Sequence, residues 1–179
     1  MKKNGTSRRG FLKACLAAGV APTVVPASVF GESAPGNRIT VAMVGYGRQA
    51  HHVNVKQLLK SSNAQVVAVC DVDAWRLRQG KQTIEQYYAK TTGKSYKGCA
   101  AYEDFRDILA RDDIDAVMSS TPDHWHVPVA LAAAKAGKHV SSEKPLTTAL
   151  AHGRLLCDTV EKYGVVTRTD SEFRSLPVF

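Results

Sequence analysis

Three short clusters in the 179-residue chain hold residues whose types and spacing suit chemistry. The first is Gly45-Tyr46-Gly47-Arg48-Gln49-Ala50. Gly45 permits a tight turn, Gly47 lets backbone approach a pyrophosphate, and small Ala50 lets the next helix pack closely on the preceding strand. The start of that helix offers free N–H groups and a positive dipole end to the phosphates. Asp71 closes a second apolar run, where its carboxylate can accept hydrogen bonds from an adenosine ribose and repel a 2′-phosphate. The expected cofactor is therefore NAD in preference to NADP, with Arg76 and Arg78 near enough in sequence to oppose that preference. The second cluster is Thr121-Pro122 with His124 and His126, and the third is Glu143-Lys144-Pro145. By residue type alone, the histidines read equally as a loop pair with surface hydrogen bonds, and Glu143 with Lys144 as an exposed ion pair of small energetic value.

The elements that must position these clusters follow from hydrophobic pattern. Arg38 to Val44 and Gln65 to Cys70 are short, β-branched, apolar runs that read as buried strands, with a helix-like segment between them. A helix is predicted from Ala74 to about Lys90, with Trp75, Leu77, Ile84, Tyr87 and Tyr88 on its apolar face, broken by Thr91 to Gly98. A shorter helix is expected over Tyr102 to Ala110, a strand over Asp115 to Ser120, and an Ala-rich helix over Pro128 to Ala136 stopped by Gly137. His139 to Ser142 reads as a strand, Thr147 to Tyr163 as a helix, and Gly164 to Thr167 as the start of a last strand. Strands alternating with helices imply an α/β fold, a doubly wound parallel sheet with helices on both faces. Ligands of such sheets bind at the C-terminal ends of the strands, so all three clusters should meet along one edge. Pro122 would end its strand and leave the following side chains directed toward the groove.

Ser7-Arg8-Arg9-Gly10-Phe11-Leu12-Lys13, a moderately apolar run from Ala14 to Val25 and small residues around Ala27 to Gly31 look like a twin-arginine (Tat) export signal over residues 1–31. Residues 32–37 then form a linker and 38–170 the cofactor domain. The expected location is periplasmic or otherwise exported, with the Tat machinery as a partner. Half of the formal net charge of +8 falls in residues 1–37. The rest is scattered without interleaved aromatics, which argues against nucleic-acid binding. Cys70, Cys99 and Cys157 give neither a disulfide framework nor metal spacing, and Cys70 and Cys157 read as buried packing residues.

From Arg38 to Phe179 the chain resembles the Gfo/Idh/MocA family of NAD(P)-dependent oxidoreductases, through the Gly45 to Ala50 turn, Asp71, Thr121-Pro122 with His126, and Glu143-Lys144-Pro145. The resemblance implies a Rossmann-type domain acting on a secondary alcohol of a sugar or cyclitol by hydride transfer. It places Lys144 beside the nicotinamide and the reacting hydroxyl, Glu143 near the nicotinamide ribose, and Thr121, Pro122 and His126 along the middle of the cofactor. Relatives with this pattern continue into an α/β substrate domain. Residues 171–179 are expected to be its truncated start, leaving an open face that favours self-association. Two alternatives stand beside this reading: an NAD-dependent glycosidase-like relative, and an inactive nucleotide-binding remnant.

Overall fold

The alternating apolar runs fold into one parallel sheet. The computed structural model describes residues 35–171, so the proposed export signal and residues 172–179 lie outside the described residues. The strands are β1 (Ile39–Val44), β2 (Ala64–Cys70), β3 (Ala100–Tyr102), β4 (Ala116–Ser119), β5 (His139–Ser142) and β6 (Thr167–Thr169). The helices are α1 (Val55–Lys60), α2 (Ala74–Thr92), α3 (Phe105–Leu109), α4 (Asp123–Lys135) and α5 (Leu150–Tyr163). A π-helical turn over Ala50–Asn54 leads into α1, with Val55 N–H donating to the Ala50 carbonyl five residues back.

All strand pairs are parallel, in the order β3-β2-β1-β4-β5-β6. The order reverses between β1 and β4, which opens a crevice at their C-terminal ends. Period-two alternation along β1 explains the two-sided core. Val41 and Met43 join Val55, Leu59 and Ile84 on one face, while Ala42 and Val44 join Ile108, Val129, Ala133 and Leu156 on the other.

Local chemistry sets the helix ends. The Asp73 carboxylate accepts from Trp75 N–H at 2.8 Å and Arg76 N–H at 3.0 Å, capping α2. Gly93, at φ 66°, stops it two residues beyond the predicted end. Gly80 inside α2 has a packing reason, since a Cβ there would sit 2.8 Å from a Val69 methyl and 2.9 Å from the Tyr46 ring.

Several expectations need correction. The strand β3 replaces the predicted start of the 102–110 helix, because three residues, Ala-Ala-Tyr, are too short a run to carry a periodic signal. Helix α4 begins at Asp123 rather than Pro128, so His124 and His126 are helical and not in a loop. Pro122 is its N-cap, and Pro128 lies inside the helix, where it has no N–H to give to the helical ladder. The last strand starts at Thr167, after Gly164 has capped α5 at φ 65°. Trp75 is 62% exposed and faces away from the α2 core stripe, and Cys157 is exposed rather than buried.

Candidate functional site

The C-terminal ends of β1, β2 and β4 border a groove of about 530 Å³, whose walls include Gly45, Gly47, Asp71, Arg76, Thr121 and Pro122. Gly45, at φ 85°, follows β1, and its N–H donates to the Cys70 carbonyl at 2.8 Å. A Cβ on Gly45 would lie 2.7 Å from the Ser120 carbonyl oxygen, so only glycine lets the turn pass so close to the end of β4. A Cβ on Gly47 would meet nothing within 4 Å. Its absence therefore serves the groove rather than internal packing, as an approaching pyrophosphate requires. Ala50 is fully buried, as a close helix–strand contact needs.

Asp71 is buried at the end of β2 and also lines the groove. One carboxylate oxygen accepts from Tyr46 N–H at 2.7 Å, the other from Asp73 N–H at 2.9 Å. Each oxygen keeps a further lone pair for a ligand hydroxyl. Tyr46 thus serves through its backbone. Its ring is buried in the core, and burial pushes the phenol above its ordinary value. Arg48 and Arg76 lie on the groove wall and also border an adjoining cavity of about 280 Å³ with His51, His52, Trp75 and Gln79. Burial, then the charges of His52 and Lys56, hold His51 below its usual value.

The Glu143-Lys144-Pro145 segment emerges from β5, next to β4. Glu143 is buried, with Oε1 accepting from Asn54 Nδ2 at 2.7 Å and Gln49 Nε2 at 3.2 Å, and Oε2 from Lys144 N–H at 3.3 Å. Its carboxylate is occupied by protein donors and lies behind the groove wall. Asn54 Nδ2 also reaches Ser120 Oγ at 3.3 Å. Lys144 is exposed at the strand end. Thr121 lies on the groove wall, its hydroxyl 3.1 Å from Ser119 Oγ. His126 is placed differently from the expectation that it lines the cofactor. It is 1% exposed, with Nδ1 2.7 Å from the Pro145 carbonyl and Nε2 2.8 Å from the Thr121 carbonyl, beneath both loops.

Sequence reasoning missed Asn54 and Phe105. Asn54 carried no motif and stood in an apparently ordinary helix. Phe105 and Trp125 form an edge-on pair at 6.2 Å on the groove wall, and only the tryptophan, between two histidines, offered a signal. Among the described residues, no group of three or more His, Cys, Asp or Glu gathers as for a metal ion.

This parallel sheet, glycine turn and groove-lining acid agree with comparison to known proteins. The pattern of an oxidoreductase family, described as NAD-binding Rossmann fold, matches residues 39–171. The chain belongs to the Gfo/Idh/MocA oxidoreductase family. It is similar to the 3-ketoreductase KijD10 of Actinomadura kijaniata, solved with NADP and TDP-benzene, at 25% identity and a TM-score of 0.68, covering 79% of this chain and 41% of that one. A probable dehydrogenase of Thermotoga maritima gives 27% identity and a TM-score of 0.62, over 73% of this chain and 35% of that one. A glycosyl hydrolase family 109 protein 2 of Shewanella sp. (strain ANA-3) is 31% identical over 179 residues, covering 88% of this chain and 38% of the relative. The chain thus spans well under half the length of these relatives. As a Gfo/Idh/MocA domain of this fold, it binds NAD(P).

Proposed function

We propose that the chain is the cofactor-holding half of an oxidoreductase that acts on a secondary alcohol of a sugar or cyclitol. The observation that carries this reading is the bond network from Gln49 and Asn54 to Glu143, which ties the phosphate-binding turn to the segment bearing Lys144. Gly45 and Gly47 would admit the pyrophosphate, Asp71 would hold the adenosine ribose, and Thr121 and Pro122 would flank the middle of the groove. The bound nicotinamide supplies a two-electron acceptor for the hydride of the substrate C–H bond. Lys144, in its amine form, takes the proton of the same carbon's hydroxyl, so that a ketone and an ammonium remain. Glu143 acts behind it, fixing the Lys144 backbone through the bond to its N–H.

The test is Lys144→Met in a chain carrying the remaining length of the relatives. Turnover should fall by about 10²–10⁴, the usual contribution of a positioned acid or base, while cofactor affinity stays within a few-fold. Near-normal turnover would remove Lys144 from the reaction.

A second reading is favoured by the family 109 name of the relatives. Transient oxidation of a sugar carbon acidifies the neighbouring C–H and permits elimination of the glycosidic alcohol; water would then add to the unsaturated ketone, and the hydride held by the cofactor would return to the carbonyl carbon. Such enzymes stand outside the two-carboxylate scheme of glycoside hydrolysis. Glycoside cleavage without added oxidant would select this reading over net oxidation. Export by the twin-arginine route is also proposed, from Arg8 and Arg9 ahead of a short apolar run. Secretion that continues after both become Lys would refute it. Among the described residues, no helix is long and apolar enough to cross a membrane.

A further inference from the structure

We propose that Glu103 selects the base of the dinucleotide, accepting a hydrogen bond from the 6-amino group of adenine while the ring lies against Phe105 and Trp125. This role rests on the dinucleotide reading above and adds the residue that tells one purine from another. Consecutive strand ends set the order of the ligand's parts. The glycine turn follows β1, Asp71 follows β2 and Glu103 follows β3. Cys70 and Tyr102 are register partners, and Asp71 N–H donates to the Tyr102 carbonyl at 3.2 Å. Glu103 therefore starts one strand width, about 4.8 Å, beyond Asp71 on the side away from Gly45. With the pyrophosphate at the end of β1 and the ribose at the end of β2, the base is carried outward to the end of β3.

The walls there suit a flat ring with a polar edge. Phe105 and Trp125 meet edge-on with centroids 6.2 Å apart, and both line the groove. Trp125 is 42% exposed and Val72, on the same wall, 90% exposed, apolar surface that a stacked base would cover. Three carboxylates line the groove: Asp71, Glu103 and Asp104. Asp71 already accepts from the N–H groups of Tyr46 and Asp73. Asp104 accepts from Arg106 N–H at 2.9 Å and from Arg106 Nη1 at 2.7 Å, which holds that guanidinium 5.3 Å from the Phe105 ring centre. Glu103 is exposed and accepts from no donor among the described residues. A carboxylate only accepts. Adenine offers it an N–H at position 6, whereas hypoxanthine puts a carbonyl lone pair in that place and its N1–H, one position round the ring, recovers only part of the bond.

The experiment titrates the 179-residue chain with NADH and with reduced nicotinamide hypoxanthine dinucleotide, which differ only at position 6 of the purine and its N1 proton. Wild type should bind NADH about tenfold more tightly, the worth of one hydrogen bond to a charged group. In Glu103→Gln the amide can both accept from an amino group and donate to a carbonyl, so the two affinities should come within about threefold, chiefly through a gain by the hypoxanthine form. The ratio is the readout, because removing a negative charge from the groove strengthens both anionic ligands alike. Trp125→Ala should weaken both by a similar factor and keep the wild-type ratio. Equal affinity of wild type for the two ligands, or an undiminished preference for NADH in Glu103→Gln, would overturn the assignment while leaving the dinucleotide reading intact. If wild type binds neither ligand, the dinucleotide reading fails and the base site falls with it.

Discussion

Asn54 Nδ2 lies 2.7 Å from Glu143 Oε1, a buried bond between residues 89 positions apart. It joins the turn behind the glycines to the segment that follows β5. Replacing Asn54 by Leu would leave the buried Glu143 carboxylate with Gln49 as its remaining side-chain donor shown here. Stability should fall by about 1–3 kcal/mol, the cost of an under-satisfied buried polar group, in urea unfolding. A loss below about 0.5 kcal/mol, the scatter of neutral surface changes, would remove the bond from the architecture.

Gly45→Ala should be costly for two independent reasons. The residue sits at φ 85°, and its Cβ would press on the Ser120 carbonyl at 2.7 Å. We expect about 1–3 kcal/mol of destabilisation from the backbone strain, together with loss of cofactor binding. Gly47→Ala, with open space around its Cβ, should leave stability within about 1 kcal/mol and weaken cofactor binding alone. Equal stability losses in both variants would contradict the distinct roles given to the two glycines.

These contrasts show what the sequence made legible. Strands β1 and β2 were readable because apolar runs of four or more residues mark buried parallel strands, β4 from its shorter apolar start and β5 from its place in the alternation, and the glycine turn and Asp71 because their roles depend on backbone position. Helix α4 was misplaced because Pro122 read only as a strand end and Pro128 as the first helical residue, whereas Pro122 caps the helix and Pro128 lies inside it. His126 and Glu143 were found by motif, but their inward orientation depends on partners far away in sequence, which no local pattern reports. Asn54 was invisible for the same reason.

Thiol reactivity offers a check on the packing. Burial, then the Asp71 charge, pushes the Cys70 thiol up to about 12. Burial, then the Glu85 charge, pushes Cys99 to about 12 as well. Both should resist alkylation in the native protein at pH 8, whereas exposed Cys157 should react. Native-state labelling of Cys70 or Cys99 as fast as Cys157, read by mass spectrometry, would mean the two core faces are not packed as described.

Asp170, just beyond β6, provides a pH test. Burial, then the nearby Glu143 charge, raises its carboxyl above the ordinary value, against the pull of Arg168. The folded chain therefore holds that proton more tightly than the unfolded chain. The associated stability is present below the ordinary aspartate value of about 4 and is lost as pH rises through the raised value. Asp170→Asn should raise the melting temperature at pH 7 relative to wild type, with the gain vanishing near pH 3. A variant less stable at pH 7 than at pH 3, relative to wild type, would show that the Arg168 contact dominates instead.

The most direct test of the site is calorimetric titration of the 179-residue chain with NAD and with NADP. Saturable one-to-one binding of NAD, lost in Gly45→Ala, is expected. Asp71 should make NAD the tighter ligand, with Arg48 and Arg76 on the groove wall narrowing its lead over NADP. Equal or tighter NADP binding would overturn the preference. Absence of saturable binding of either dinucleotide to the folded chain would contradict the assignment of the groove itself.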